Sequence, residues 1–337
     1  MSEAPSNAAA LDAGDPLALG AMLAPVVREA AGPGLGEIEW FRTSWQRGGS
    51  ATGNATWTHA DGSHSPCVVK VPVGPDERRW VSALGDCGAD GWSSSASLAK
   101  PTPRLLASAE VLGPYDMCWL VTERFEGKPV SAELGERPLA ELLDAAASFQ
   151  ARAARIRPPA GRPWDPDWEK LIGHARAMAR EDTFDHARQW HVALKHAHRL
   201  VPRCLDLWLR RPTSAWLHGD LHPANAMWRA NDDGVRHVAL IDLALVRPGH
   251  WSEDALYLER QFWGRRDRLH GVRPLSYMAR ARREAGLPIE DEYGKLANAK
   301  RLLAAAAAPA NLDHEGDATY LAGALDVLER TVRTLGG

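Results

Sequence analysis

No apolar run in this 337-residue sequence approaches the ~20 residues needed to cross a bilayer, which argues against a helical membrane protein. The opening Met-Ser-Glu-Ala-Pro-Ser has neither the basic start nor the apolar stretch of a signal peptide, so a cytoplasmic location is expected. Cysteine is sparse. Cys67, Cys87, Cys118 and Cys204 lie far apart, with no C-x-x-C pair and no histidine spacing of a zinc site. Such scattered thiols predict buried free cysteines in a reducing compartment. A surplus of one charge is also missing: the formal net charge of -3 provides no global attraction to nucleic acid or to anionic lipid, and neither is expected as a partner. Lysine is rare, at seven residues against 33 arginines. The many alanines and glycines point to GC-rich coding as the cause, ahead of an arginine-rich phosphate-binding surface.

What is present is ordinary for a globular chain, 45% hydrophobic and 25% charged, long enough for one large domain or two separate cores. Residues 1 to about 16 are small and polar and predict a loose arm. Leu17 to Ala31 predicts a short helix stopped by Gly32-Pro33-Gly34. Strand-like runs follow. Trp40–Trp45 leads into a glycine-rich stretch, Arg47–Asn54, and then Ala55–Thr58, with a turn at Asp61-Gly62. Cys67–Val73 reads as a buried strand, Asp76–Leu84 as a short helix, then a Gly/Ser-rich loop to Ser97, and Arg104–Val111 and Met117–Thr122 as strands. The second half is helical in texture over Glu133–Arg155, Asp167–Leu200 and later segments. A β-like interruption falls at Ala215–Leu245, with a turn at Asn231-Asp232-Asp233-Gly234. The expected architecture is therefore α+β: an antiparallel sheet carrying a helix, then a larger, mostly α-helical part.

The chemistry concentrates in His218-Gly219-Asp220-Leu221-His222-Pro223-Ala224-Asn225, followed seventeen residues after Asn225 by Asp242 at the end of an apolar strand. Phosphoryl transfer needs a carboxylate to orient the acceptor hydroxyl and take its proton, and oxygen ligands to hold magnesium on the nucleotide phosphates. An Asp and an Asn five positions apart on one loop, with a second Asp at an adjacent strand end, supply these. The alternation of His218, Asp220 and His222 also permits a metal-hydrolase reading on a strand, although Pro223 and Asn225 favour a loop.

This pattern resembles the aminoglycoside phosphotransferase and choline-kinase-like branch of the protein-kinase-like fold, with Gly219 where protein kinases carry Arg. The resemblance covers roughly Trp40 to Trp263 and implies a bilobal kinase acting on a small molecule. Residues 1–35 would form an arm and short helix, 36–122 a nucleotide-binding lobe, 123–127 a hinge, and 128–337 a helical lobe with the acceptor site. Asp220 would be the catalytic base, with His222 near the transferred phosphate or bracing the loop, and His218 structural. Asn225 and Asp242 would bind Mg²⁺, with ATP as donor and GTP as an alternative. Gly49, Ser50, Gly53 and Asn54 resemble the G-G-x-x-N nucleotide loop of such kinases. Lys70, a lone lysine in a buried-looking strand, needs an anionic partner. The resemblance gives it the α/β-phosphates and pairs it with a helix acid, Glu77 or Asp76, at a spacing short for the family. Glu123 and Phe125 fall in the segment that would contact adenine, and Asp254 would anchor the loop after Asp242. Leu243 and Ala244 replace the Phe-Gly of protein kinases, which argues against a protein kinase.

The expected acceptor is a hydroxyl of an aminoglycoside or other antibiotic, ahead of a metabolite of choline, methylthio-sugar or homoserine type. A catalytically silent nucleotide-binding module is the rival from another class. Acidic residues could attract a cationic acceptor: Asp165, Asp167, Glu169, Glu181, Asp182, Asp185, Glu290, Asp291, Glu292, Asp313, Glu315 and Asp317. Most of the 14 tryptophans are expected in the core, some in a stacking pocket.

Overall fold

The computed structural model describes residues 15–41, 49–85, 101–182, 184–230, 234, 236–311 and 317–336. The expected arm, Arg47 and Gly48, most of the Gly/Ser-rich loop with Cys87, the turn at Asn231–Asp233, and Asp313 and Glu315 lie outside the described residues. The chain divides into two compact units. One comprises Met1–Ala96, Thr102–Glu126 and Asp242–Ala244, the other Ser97–Pro101, Gly127–Ile241 and Leu245–Gly337.

The first unit runs α1 (Pro16–Ala31), β1 (Glu39–Phe41), β2 (Ala51–Thr58), β3 (His64–Val73), α2 (Pro75–Gly85), β4 (Leu105–Ala109) and β5 (Cys118–Glu123). Helix α1 starts where the Asp15 carboxylate accepts from the Leu17 N–H and stops at Gly32, whose φ of 80° only glycine adopts readily. The five strands form an antiparallel sheet in the order β1-β2-β3-β5-β4. Strand β3 has two faces, as side-chain alternation requires. Cys67, Val69 and Val71 are fully buried and pack with Leu23 and Val27 of α1 and with Leu112 and Val121. Lys70 takes the other face. The apolar run with one lysine inside it is thus a strand whose two faces do different work.

The glycine-rich stretch differs from its reading as a loop, because β2 already begins at Ala51 and pairs Gly53 with Val69 and Asn54 with Val68. A Cβ at Gly53 would stand 2.4 Å from Ile38 Cγ2 and 3.0 Å from Trp40 Cε3. Close approach of β1 explains this glycine.

The second unit contains α3 (Glu136–Ile156), α4 (Trp168–Glu181), α5 (Ala187–Ala197), α6 (Val201–Leu209), β6 (Ala215–Leu217), β7 (Ala226–Ala230), β8 (Arg236–Leu240), β9 (Arg247–Gly249), α7 (Ser252–Gln261), α8 (Pro274–Glu284), α9 (Tyr293–Ala307) and α10 (Ala318–Gly336). The helix expected over Asp167–Leu200 is two helices. Asp182 and His186 between them adopt left-handed φ values of 55° and 64°. Helices α4, α5, α6, α9 and α10 share a core built on Trp168, Trp190, Trp208 and Trp263, closed by the buried alanines Ala304–Ala307. Helix α3 packs against α8, β6 and β8, and α7 packs against α8 and α9. Strand pairs β6–β9 and β7–β8 fix the two ends of the segment that holds the HGDLHPAN sequence.

Cys67, Cys118 and Cys204 are buried and free. No helix among the described residues is long and apolar enough to cross a membrane.

Candidate active site

The segment between β6 and β7 is pinned by buried Leu217 and Leu221 and turns sharply at Gly219, where φ is 82°. A Cβ there would lie 2.1 Å from the Leu245 carbonyl oxygen, so a side chain meets backbone as well as an unfavourable φ. Gly219→Ala is expected to cost about 3 kcal/mol and to lower the melting temperature by roughly 5–10 °C in calorimetry.

Asp254, in the first turn of α7, ties this segment down. Its Oδ2 accepts from His218 N–H and its Oδ1 from Gly219 N–H, both at 3.0 Å, and Gln150 Nε2 donates to it at 3.3 Å. Gln150 in turn accepts from the buried Arg282 at 2.5 Å. Burial raises the Asp254 pKa, opposed by the two backbone donors. The expectation placed Asp254 on the loop after Asp242; its carboxylate instead holds the segment of His218 and Gly219.

The histidines are committed within the loop. His218 Nδ1 accepts from Asp220 N–H at 3.3 Å, and its Nε2 donates to the Ile241 carbonyl at 2.9 Å. His222 Nδ1 accepts from Ala224 N–H at 3.2 Å, while its Nε2 lies 3.4 Å from Asp220 Oδ2. Both rings are thus engaged within the loop, which is not the strand that the metal-hydrolase reading needs.

Asp220 is the focus of the loop. Tyr257 Oη donates to Oδ1 at 2.6 Å, and Asn225 Nδ2 donates to Oδ2 at 2.9 Å. Burial alone would raise the Asp220 pKa, but the bonds from His222, Tyr257 and Asn225 outweigh it and hold the group at about 2. The carboxylate is therefore ionised at neutral pH. Asn225 spends its amide nitrogen on Asp220, including the backbone oxygen at 3.1 Å, which leaves its side-chain oxygen as the end suited to a cation.

In the sheet unit, Lys70, Glu77 and Asp242 form one cluster. Lys70 Nζ donates to Glu77 Oε1 at 2.6 Å and to Asp242 Oδ1 at 3.0 Å. The short spacing between Lys70 and Glu77 works because α2 starts at Pro75, immediately after β3, which places Glu77 in its first turn. Burial would lower the Lys70 pKa, but the charges of Glu77 and Asp242 raise it; burial raises that of Glu77 despite Lys70. Asp242 adopts φ 61°, a conformation Asp tolerates better than most residues. Gly49, at φ 96°, has open space where a side chain would be, and Ser50 Oγ donates to the Pro72 carbonyl at 2.5 Å. Gly53 and Asn54 lie farther along β2. Glu123 ends β5, where its carboxylate accepts from Arg104 N–H at 2.8 Å, and Phe125 follows two residues later.

A model of the APH phosphotransferase enzyme family matches residues 46–293, which include all of these groups. The chain belongs to that family. It is thus a phosphotransferase with an alcohol group as acceptor, a small-molecule kinase. No curated protein sequence matches this phosphotransferase significantly. Among solved structures it is similar to an aminoglycoside phosphotransferase from Alicyclobacillus acidocaldarius, with a TM-score of 0.56 at 17% identity over 91% of this chain and 93% of that one. It is also similar to spectinomycin phosphotransferase APH(9)-Ia, solved with ADP and spectinomycin, with a TM-score of 0.54 at 10% identity over 88% of this chain and 93% of that one. At these identities the likeness is one of fold, which is protein-kinase-like.

The helical unit of this phosphotransferase has a cavity of about 530 Å³ lined by His222, Tyr257, Arg260, Trp263, Asp317 and Tyr320 among others. His222 and Tyr257, two of the groups that hold Asp220, line this cavity. Tyr257 carries no signal in the sequence. Trp263 and Tyr320 stack there with centroids 6.0 Å apart, matching the expectation that some tryptophans line a pocket.

Several of the acids read as attractors of a cation have structural work. Asp165 accepts from Arg211 and from Trp208 Nε1, both at 2.7 Å. Asp167 caps α4, Glu290 accepts from Trp251 Nε1 at 2.6 Å, and Asp317 pairs with Arg265 at 2.6 Å. Of those acids, only Asp317 is among the described residues that line the cavity.

Proposed function

We propose that this phosphotransferase moves the γ-phosphoryl group of ATP directly to a hydroxyl of a small molecule, with Asp220 as catalytic base. The acceptor hydroxyl gives its proton to Asp220 as its oxygen bonds to the γ-phosphorus. The bond from that phosphorus to the bridging oxygen breaks, and ADP leaves with the electron pair. The observation that carries this reading is the Asp220 carboxylate itself: ionised, partly exposed, and held by Asn225 and by Tyr257, which also lines a cavity of small-molecule size.

Asn225 and Asp242 are proposed to hold magnesium. Both offer the oxygen donors that this hard cation prefers, and the Asn225 amide is oriented with its nitrogen turned to Asp220. Magnesium, when bound, offsets the charge of the phosphates. Lys70, kept charged by Glu77 and Asp242, is proposed to grip the α/β-phosphates, with Gly49 and Ser50, which lead into the strand paired with that of Lys70, as a backbone cradle and the segment at Glu123–Phe125 as the adenine contact. Gly53 and Asn54 are assigned to the same nucleotide loop, Gly53 in addition to its packing role.

For the acceptor, an antibiotic of aminoglycoside type follows from the family, ahead of a primary metabolite. The presence of Asp220, Asn225 and Asp242 together counts against a silent nucleotide-binding module.

The test is ADP release from Mg·ATP and Mg·GTP against aminoglycosides, other hydroxylated antibiotics and hydroxylated metabolites, with Asp220→Ala as control. Acceptor-dependent release in the wild type that is lost in the variant supports the reading. Release unchanged by the substitution removes Asp220 from the chemistry. Lys70→Ala is expected to raise the KM for ATP by about 10- to 100-fold, the equivalent of losing charge-assisted bonds, with little change in acceptor KM. Steady-state kinetics with each substrate varied in turn checks this.

A further inference from the structure

We propose that the cleft between α4 and α5 binds a soluble small molecule carrying a phosphate or diphosphate group, at a site separate from the one around Asp220. The cleft has a volume of about 240 Å³ and is lined by Arg176 and Arg180 of α4 and by His191, Leu194 and Lys195 of α5. None of these residues lines the cavity that holds His222 and Tyr257.

The sequence spacing builds this cleft. Arg176 and Arg180 are four positions apart on one helix, and His191 and Lys195 are four apart on the next, so each pair shares a face. Other positions turn inward: Ile172, Ala175 and Ala179 of α4, and Trp190, Ala193 and Ala197 of α5, enter the core of the helical unit. The apolar member of the lining, Leu194, is itself buried. Arg176 Nη1 donates to His198 Nδ1 at 3.1 Å, which holds the guanidinium and leaves its other N–H groups for a ligand.

What marks the cleft is the lack of an acid in its lining. Elsewhere on the helical unit, cations are offset by an acid one turn away: Arg137 by Glu141, Arg210 by Asp206, Arg280 by Glu284 and Arg330 by Asp326. Arg176 and Arg180 are like charges at that same spacing, and Lys195 joins them in one cleft. That arrangement costs stability unless an anion sits among them. Asp and Glu are missing from His186 to Leu205, a span with Arg188, Lys195, Arg199, Arg203 and four histidines, in a chain of net charge -3. Glu181 and Asp182, at the end of α4, do not line the cleft.

The chemistry of the lining selects the ligand. Two guanidinium forks offer paired N–H donors that match phosphate oxygens, and the Lys195 ammonium adds a point charge. The volume admits a phosphate or diphosphate group but not a duplex or a folded chain, and a concave lining favours a soluble anion over a lipid surface.

The test titrates inorganic pyrophosphate without magnesium into the full chain by isothermal titration calorimetry, with the melting temperature followed in parallel. The wild type is expected to bind it and to melt at a higher temperature in its presence. Arg180→Gln and Lys195→Gln, both at exposed positions, are each expected to weaken that binding about tenfold, as loss of a charge-assisted contact does. Without pyrophosphate these variants should melt at the wild-type temperature or slightly above it, because repulsion is relieved. Lys70→Met, which alters the nucleotide site, should leave the same binding event in place. No binding by the wild type, or binding that both cleft variants retain in full, overturns the inference. Sedimentation with vesicles of four parts phosphatidylcholine to one part phosphatidic acid, lost in Arg180→Gln and without affinity for free pyrophosphate, also overturns it and assigns the cleft to a lipid headgroup.

Discussion

Asp242→Asn is expected to lower magnesium-dependent turnover by about 10²- to 10³-fold, the range seen when one electrostatic group of a transfer site is removed. The substitution is chosen because asparagine tolerates the left-handed φ of 61° at this position, whereas alanine adds backbone strain of about 1 kcal/mol. Lys70 keeps Glu77 at 2.6 Å when the Asp242 charge is gone, so the sheet unit is not left with an unpaired buried cation. Stability should therefore change little while activity collapses. Turnover measured across a magnesium titration, beside the melting temperature of the same sample, separates the two effects. Full activity in Asp242→Asn refutes the assignment of Asp242 to the metal.

Asp254→Ala is expected to have the largest effect on stability, about 4 kcal/mol, because it strips the partners from buried donors in one step. The His218 and Gly219 N–H groups lose their acceptor, and Gln150 and Arg282 lose the charge their chain leads to. The loop carrying Asp220 loses its fixed position as well, so kcat should fall far more than the nucleotide KM rises. Urea unfolding followed by tryptophan fluorescence gives the stability change; 14 tryptophans, several of them buried, make that signal large. A variant as stable as the wild type would show that Asp254 does not carry the loop.

Much of this site is legible in the sequence because it is local. Asp220, His222 and Asn225 lie within one short loop whose ends are marked by apolar strands, so spacing alone brings them together. Asp254 is visible as a helix-start acid, although the segment it holds is that of His218 and Gly219 and not the loop after Asp242. Glu77 is a weaker case: a spacing of seven residues from Lys70 becomes contact only because α2 starts within two residues of the end of β3.

Other features depend on contacts that no local pattern encodes. Tyr257 reaches Asp220 across 37 positions, and within α7 it looks like any half-buried aromatic. Gln150 joins the network from α3, more than a hundred residues before Asp254. Gly53 sits in a glycine-rich run that suggests a phosphate loop, yet its small size is demanded by Ile38 and Trp40. The break between α4 and α5 uses Asp182 and His186 in left-handed conformations, without the glycine that usually marks such a stop. The acidic residues of the second half read as a possible attractor for a cation, but several are consumed by buried arginines, tryptophan N–H groups and helix ends.

The central claim is direct transfer of phosphate to a small-molecule hydroxyl under the control of Asp220. ³¹P NMR of the protein with Mg·ATP and a pooled panel of hydroxylated acceptors tests it most directly. The account predicts a new phosphomonoester signal rising in step with ADP in the wild type and slowed by about 10²- to 10⁴-fold in Asp220→Ala. ADP formed with inorganic phosphate alone, or the same ester made at the same rate by the variant, would contradict it.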